Sequence, residues 1–301
     1  MNATHEVWNA GLFAQLNELR IDVPDPDLRA DRAIDAVRRF GFALISEFGE
    51  TALRAPAAAG LMALAKRFGR IVPQSPRGER IEDVRDYSDV EEKDERGYRS
   101  GGELSPHSDP STLIALRCLK PAKSGGESHL VNVRAIHDRI AAHDPELLAT
   151  LYRDFPQWQV AGQHGRAVAG LAVSGRPIFA KRNDFVSCVL YRPFVEMAAE
   201  ALNTLLSAKQ TAALDLFDAC ARDPDLALRF VLQPGETLVL HNRTVLHVCG
   251  PLYCAICAST CWTARDHGCS ASSGGTIGCP TASWGWGAAA RAFSSGAARK
   301  C

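Results

Sequence analysis

The feature that most limits how this chain can fold is a series of short apolar runs, each of strand length, separated by tight turn signals. "TLIALRCL" (112–119), the turn "SGG" (124–126) and "SHLVNV" (128–133) follow one another closely. Further on come "LALRFVLQ" (226–233), "ETLVLHN" (236–242) and "TVLHV" (244–248), broken at Pro234-Gly235. "FALISEF", "GLAVSG", "RPIFAK" and "FVSCVLY" are further short strands. Helical patterns are inserted between them. "DPDLRADRAIDAVRRFG" carries Ile34, Val37 and Phe40 at helical spacing with Gly41 as a stop, and a second helix runs through Leu61, Leu64, Ala65 and Phe68 to Gly69. Two more lie near 134–142 and 145–153. Another starts at Ser207, where Gln210 completes a capping box, and presents Leu214, Phe217 and Ala221 on one face. Many short strands with helices between them predict a mainly β chain, a double-sheet β-barrel rather than a parallel α/β sheet.

The chain is long enough at 301 residues for a sizeable core, and its 34 basic residues balance its 34 acidic ones. No basic block marks a nucleic acid or an anionic membrane as partner, and no apolar run approaches the roughly 18 residues of a membrane span. The N-terminus lacks a basic region followed by a long apolar core, so the expected location is cytoplasmic. A small-molecule ligand fits this balance.

"LSPHSDPSTLIALRCLKP" (104–121) places His107 and Asp109 two apart before a strand. The pair alone carries little, because nine histidines and 34 acidic residues in 301 positions give about one by chance. Its chemistry is more telling. On a strand end, residues i and i+2 point the same way, so His107 and Asp109 can reach one ion while Ser108 faces away. Two imidazoles and a carboxylate on one face of iron(II) leave adjacent positions open for a bidentate co-substrate and O2, and the third ligand must come from a distant segment.

Three elements in order, "LSPHSDPSTLIALRCL", "SGGESHLVNV" and "LQPGETLVLHNRTVLH", resemble the TauD/TfdA branch of the iron(II)/2-oxoglutarate-dependent oxygenases over roughly residues 30–248. The resemblance implies a double-stranded β-helix, or jelly roll. It implies iron held by His107, Asp109 and His247, with Ser128 at the place of a family hydroxyl that helps hold 2-oxoglutarate. It also implies a dioxygenase that consumes 2-oxoglutarate and O2, releases succinate and CO2, and hydroxylates a small molecule. His241 is the competing distal histidine, read instead as a structural hydrogen-bonding residue; His129 is expected on the strand face opposite Ser128. His137, His143 and His164 are expected at the solvated surface. Tyr98, Arg99, Arg182, Asn183 and Arg192 are candidate substrate contacts in loops around the metal, including the long charged loop 75–102.

Beyond Val248 the character changes. The last 53 residues hold seven of the ten cysteines and one acidic residue, Asp266, with neither helical nor strand period, so residues 1–248 are expected to form the oxygenase domain and 249–301 a separate Cys-rich tail, disordered or read in a shifted frame. Relatives carry an arginine ten to twenty residues past the distal histidine to pair with the far carboxylate of 2-oxoglutarate, since a buried dianion needs a bidentate cation. Arg265 is the arginine in reach, but "CWTARDHGC" does not read as a barrel strand. "CAICAS" written TGC-GCC-ATC-TGC-GCC-TCG and read from its third base gives Arg-His-Leu-Arg-Leu, close to the family strand. A catalytically impaired relative, lacking that arginine and the last strand, is the alternative. A zinc module from Cys254, Cys257, Cys261, His267 and Cys269 lacks paired Cys-x-x-Cys units at the usual separation.

Overall fold

The computed structural model describes residues 6–46, 54–73, 78–84, 105–109, 111–122, 124–159, 172–249, 252–253 and 256–264. After a 3-10 turn (Ala10–Gln15), the elements are α1 (Leu16–Leu19), β1 (Arg20–Ile21), α2 (Pro26–Phe40), β2 (Phe42–Ile45), α3 (Arg54–Phe68), β3 (Gly69–Val72), β4 (Glu82–Val84) and β5 (Leu113–Lys120). Next come β6 (Ser124–Gly125), β7 (Glu127–Asn132), α4 (Val133–His143), α5 (Pro145–Leu151), β8 (Asp154–Gln159), β9 (Ala172–Pro177), β10 (Phe179–Arg182) and β11 (Phe185–Cys188). The chain continues with α6 (Arg192–Ala201), α7 (Ala208–Arg222), β12 (Ala227–Val231), β13 (Thr237–His241), β14 (Val245–Cys249), β15 (Leu252–Tyr253) and β16 (Ile256–Ala264).

Local chemistry sets several of these boundaries. Asp25 caps α2 by accepting from Leu28 N, and Gly41 closes it at φ 80°, a left-handed turn that a side chain would oppose. Ser207 and Gln210 form the expected reciprocal capping box at the start of α7.

Two sheets dominate. The larger has strand order β1-β2-β13-β5-β16-β3, with β4 also on β16, and the smaller is β12-β7-β14. Strand alternation sorts their side chains into two faces. Phe42, Leu44, Ile114, Leu116, Leu238 and Leu240 from the large sheet meet Leu130, Leu228, Phe230 and Val245 from the small one in a shared core. The alternate residues Ala43, Ala115 and Val239 face α2 and α3 through Ala33, Val37, Leu61 and Phe68. On the far side Val131, Ala227 and Leu246 pack against Ile136, Ile140, Leu214 and Phe217 of α4 and α7. The result is four layers, helix, sheet, sheet, helix.

The helices are therefore more than insertions into a mainly β chain: the architecture is mixed α/β, because both sheets are apolar on both faces and each outer face needs a cover. Among the described residues the strands form open sheets. Also among them, no helix is long and apolar enough to cross a membrane.

The backbone of Ile256–Ala264 is a strand, where the sequence shows no strand period. It lies antiparallel to β5, with Thr260 opposite Ala115 and Trp262 opposite Leu113, and pairs with β3 and β4 on its other edge. Backbone hydrogen bonds along the edge of β5 recruit it without an alternating pattern.

Candidate metal centre

His247 sits in β14, opposite Leu130 of β7. That register puts it on the face shared with Leu130 and Val245, in the space between the two sheets, while its neighbour Leu246 faces the helices. The segment before β5 docks on the same strand: His107 N donates to His247 O at 3.2 Å and His247 N donates to His107 O at 3.0 Å, an isolated antiparallel bridge. Residues paired in this way project side by side, and the two imidazole centroids are 4.4 Å apart. Asp109, two further on, returns to the same side.

Donor atoms of His107, Asp109 and His247 all lie within 4.8 Å of one another. His247 Nε2 is 3.4 Å from Asp109 Oδ2, and His107 Nε2 is 3.8 Å from Asp109 Oδ1. Both separations are shorter than two metal–ligand bonds of about 2.1 Å laid end to end, so one ion can bridge them. His107 Nδ1 lies 2.8 Å from the carbonyl of Ser105; donating there leaves Nε2 with its lone pair toward the other two groups. His247 Nδ1 is buried and has no hydrogen-bond partner among the described residues.

Electrostatics prepare the same state. Burial, reinforced by the adjacent His247, lowers the His107 imidazole to about 4, so it is neutral near pH 7. Burial alone would raise the Asp109 carboxyl, yet the hydrogen bond from His247 and the electrostatic interactions with His247, His107 and Arg243 outweigh it and hold the group below its ordinary value. Two imidazoles and a carboxylate are the donor set of a divalent transition metal with sites left open.

The surroundings of the triad were less visible in the sequence. Arg243 Nη1 donates to the Asp109 carbonyl at 3.2 Å, and Asn242, fully buried, donates from Nδ2 to Ser111 O at 3.0 Å. The "HNRT" turn thus grips the segment that carries two of the donors. Tyr191 packs edge-on to His107, with centroids 5.6 Å apart, and nothing in "VLYRPF" signals it. Ser128 is buried opposite Cys249, two residues along β7 from Leu130 and on the same face as His247.

The remaining predicted residues fall elsewhere. His241 is outside the triad, its Nδ1 2.9 Å from Thr244 Oγ1 in the turn before β14. His129, on the opposite face of β7 from Ser128, contacts Glu127 at 3.2 Å. His137 is a correction: it is buried rather than solvated, edge-on to Tyr152 and Phe179, because α4 packs that side against the core. His143 is exposed at the end of α4. Arg192 is held by carboxylates of Glu196, Asp215 and Asp218 at 2.7, 2.7 and 2.8 Å, which accounts for it as a brace between α6 and α7. Arg182 and Asn183 are exposed at the β10–β11 hairpin, where Asn183 takes φ 54°. Tyr98, Arg99, His164, Arg265, His267, Cys254 and Cys269 lie outside the described residues, as does most of the loop 75–102.

A mixed fold with this donor set defines a class, the non-haem iron oxygenases. Comparison with known proteins narrows it. Residues 10–249 match the family model described as taurine catabolism dioxygenase TauD, TfdA family. Among characterised relatives, FR-33289 synthase of Streptomyces rubellomurinus is 28% identical over 249 residues, 77% of this chain and 72% of that protein. Uridine-5'-phosphate dioxygenase of a Streptomyces species is 24% identical over 234 residues, 73% of this chain and 82% of that protein. In structure, the non-heme iron oxygenase OrfP in complex with Fe and alpha-ketoglutaric acid superposes with TM-score 0.56 at 16% identity, covering 85% of this chain and 90% of that one. An asparagine oxygenase in complex with Fe(II), hydroxyasparagine and succinate gives TM-score 0.56 at 14% identity over 84% and 89% of the two chains. The chain belongs to the TauD/TfdA family and is an iron(II)- and 2-oxoglutarate-dependent dioxygenase.

Proposed function

We propose that the protein hydroxylates a small-molecule substrate, with His107, Asp109 and His247 as the iron ligands and Ser128 and Arg265 on the 2-oxoglutarate. The observation that carries this is the convergence of three donors, from segments about 140 residues apart, within 4.8 Å. The double-stranded β-helix is the finer fold that accompanies the reading; the two facing sheets support it. Relatives named for uridine-5'-phosphate and an asparagine oxygenase holding hydroxyasparagine favour a small substrate over a macromolecule.

Iron(II) with 2-oxoglutarate and O2 supplies the oxidant for a C–H bond, with succinate and CO2 released. The chain's own residues prepare that chemistry. His107 presents a neutral ring oriented by the Ser105 carbonyl, and Asp109 remains a carboxylate beside Arg243. Leu130 and Val245, both fully buried on the face of His247, keep water from that side. Ser128 offers a buried hydroxyl on the same face. Arg265 is proposed from the sequence alone, as the arginine in reach of the distal histidine.

The test is anaerobic addition of Fe(II) and 2-oxoglutarate to the purified protein. A visible charge-transfer band that disappears in His107→Ala supports the reading; iron binding without a band points to the catalytically impaired relative, and a band that persists in His107→Ala means the metal is elsewhere.

A further inference from the structure

We propose that Ser108, the residue between the two proximal donors, is a positioning residue of the iron centre: its buried hydroxyl locks the face on which His107 and Asp109 lie. The inference rests on those residues being iron ligands.

In an extended segment successive N–H groups point to opposite sides. The N–H of His107 goes to β14, so that of Ser108 must find a partner on the other side. It donates to Leu190 O at 3.0 Å, and Leu190 N donates back to Ser108 Oγ at 3.1 Å. The ligand segment is thus held between two strangers in sequence, with β14 on one edge and residue 190 on the other. Ser108 is only 3% exposed, so water does not replace these bonds.

The side-chain bond gives the segment a register as well as a place. A slip of one residue would turn Ser108 toward the metal and both donors away, because side chains alternate. A backbone bond alone tolerates that slip, since any residue supplies an N–H and a carbonyl; the hydroxyl accepting from Leu190 does not. Leu190 is also joined to Tyr191, which packs against the His107 ring, so the same bond fixes the wall beside the ligand. Removing it leaves the Leu190 N–H buried without its acceptor. Loss of an outer partner of a metal site typically costs roughly 10–100-fold in metal affinity.

The probe is Co(II), titrated into the metal-free full-length protein and followed by its visible absorption, with the charge-transfer band of Fe(II) and 2-oxoglutarate as a second readout. Ser108→Ala is expected to weaken Co(II) binding by roughly 10-fold and shift the band, and Ser108→Thr, which keeps the hydroxyl, to recover most of both. Thr150→Ala is the structural control: Thr150 Oγ1 donates to Glu146 O at 2.9 Å within α5, and its loss should leave Co(II) affinity unchanged. If Ser108→Ala does not fold, Ser108→Cys, similar in size but a weak acceptor, takes its place and must bind Co(II) several-fold more weakly. Wild-type affinity in the folded Ser108→Ala, or in Ser108→Cys, overturns the inference, as does an equal loss in Thr150→Ala. His247→Ala separates the two readings. If it binds Co(II) as wild type does, the iron centre itself is wrongly placed. If it abolishes binding while Ser108→Ala matches wild type, only the role of Ser108 fails.

Discussion

His107 and His247 exchange both of their backbone hydrogen bonds, at 3.2 and 3.0 Å, and hold their rings 4.4 Å apart. The proposed ligand pair, from segments about 140 residues apart, is therefore brought together by main-chain pairing. Replacing either ring by alanine keeps the bridge and removes the donor. His247→Ala is expected to retain native circular dichroism while losing Fe(II) affinity by more than the roughly 10–100-fold typical of an outer partner. Equilibrium dialysis against Fe(II) under argon measures it.

The metal-free protein should lose stability on mild acidification. The folded His107 titrates at about 4, below its ordinary 6.5, so between these values the unfolded chain binds a proton that the folded one refuses. Stability is then fully present above pH 6.5 and declines as pH falls toward 4, by about 3 kcal/mol from this group. Urea midpoints at pH 7, 5.5 and 4.5 read the slope, and His107→Gln should flatten it. An unchanged slope in that variant would assign the acid sensitivity elsewhere.

Arg192 bridges α6 to α7 through Asp215 and Asp218 and is only partly exposed. Arg192→Ala should lower unfolding free energy by about 2 kcal/mol, the scale of hydrogen bonds to charged groups, with KM for the substrate unchanged. A raised KM at unchanged stability would restore it as a substrate contact.

Leu130 is fully buried between the sheets and opposite His247. Leu130→Ala should cost about 2–5 kcal/mol through the cavity it leaves. It should also admit water beside the metal, seen as faster 2-oxoglutarate turnover without hydroxylated product. Denaturant melts and a succinate-to-product ratio test the two effects separately.

The strand Ile256–Ala264 lies between β5 and β3. Truncation after Val248 should expose the long edge of β5 and yield an aggregating chain, measured by light scattering. Sequencing the coding DNA addresses the tail independently: an alternative frame reading Arg-His-Leu-Arg-Leu from the third base of codon 254 is expected if the reading frame has shifted.

Much of the fold was legible because its signals are local. The capping box at Ser207, the stop at Gly41 and the short apolar runs of β5, β7 and β13 are each decided within a few residues. The burial of His137 was not, because whether a helix face is wet depends on what packs against it, here Tyr152 and Phe179. The strand β16 was missed for the same reason: its partners supply the order that its own pattern lacks.

By itself the sequence offered candidate donors, an imidazole and a carboxylate two apart before a strand and so on one shared face, with the resemblance supplying the distal histidine. Only the tertiary structure showed that His247 rather than His241 converges with them, and that Leu190 and Arg243 hydrogen-bond the segment that carries His107 and Asp109. Convergence depends on register between strands far apart in the chain, and register is settled by which apolar faces the two sheets bury together.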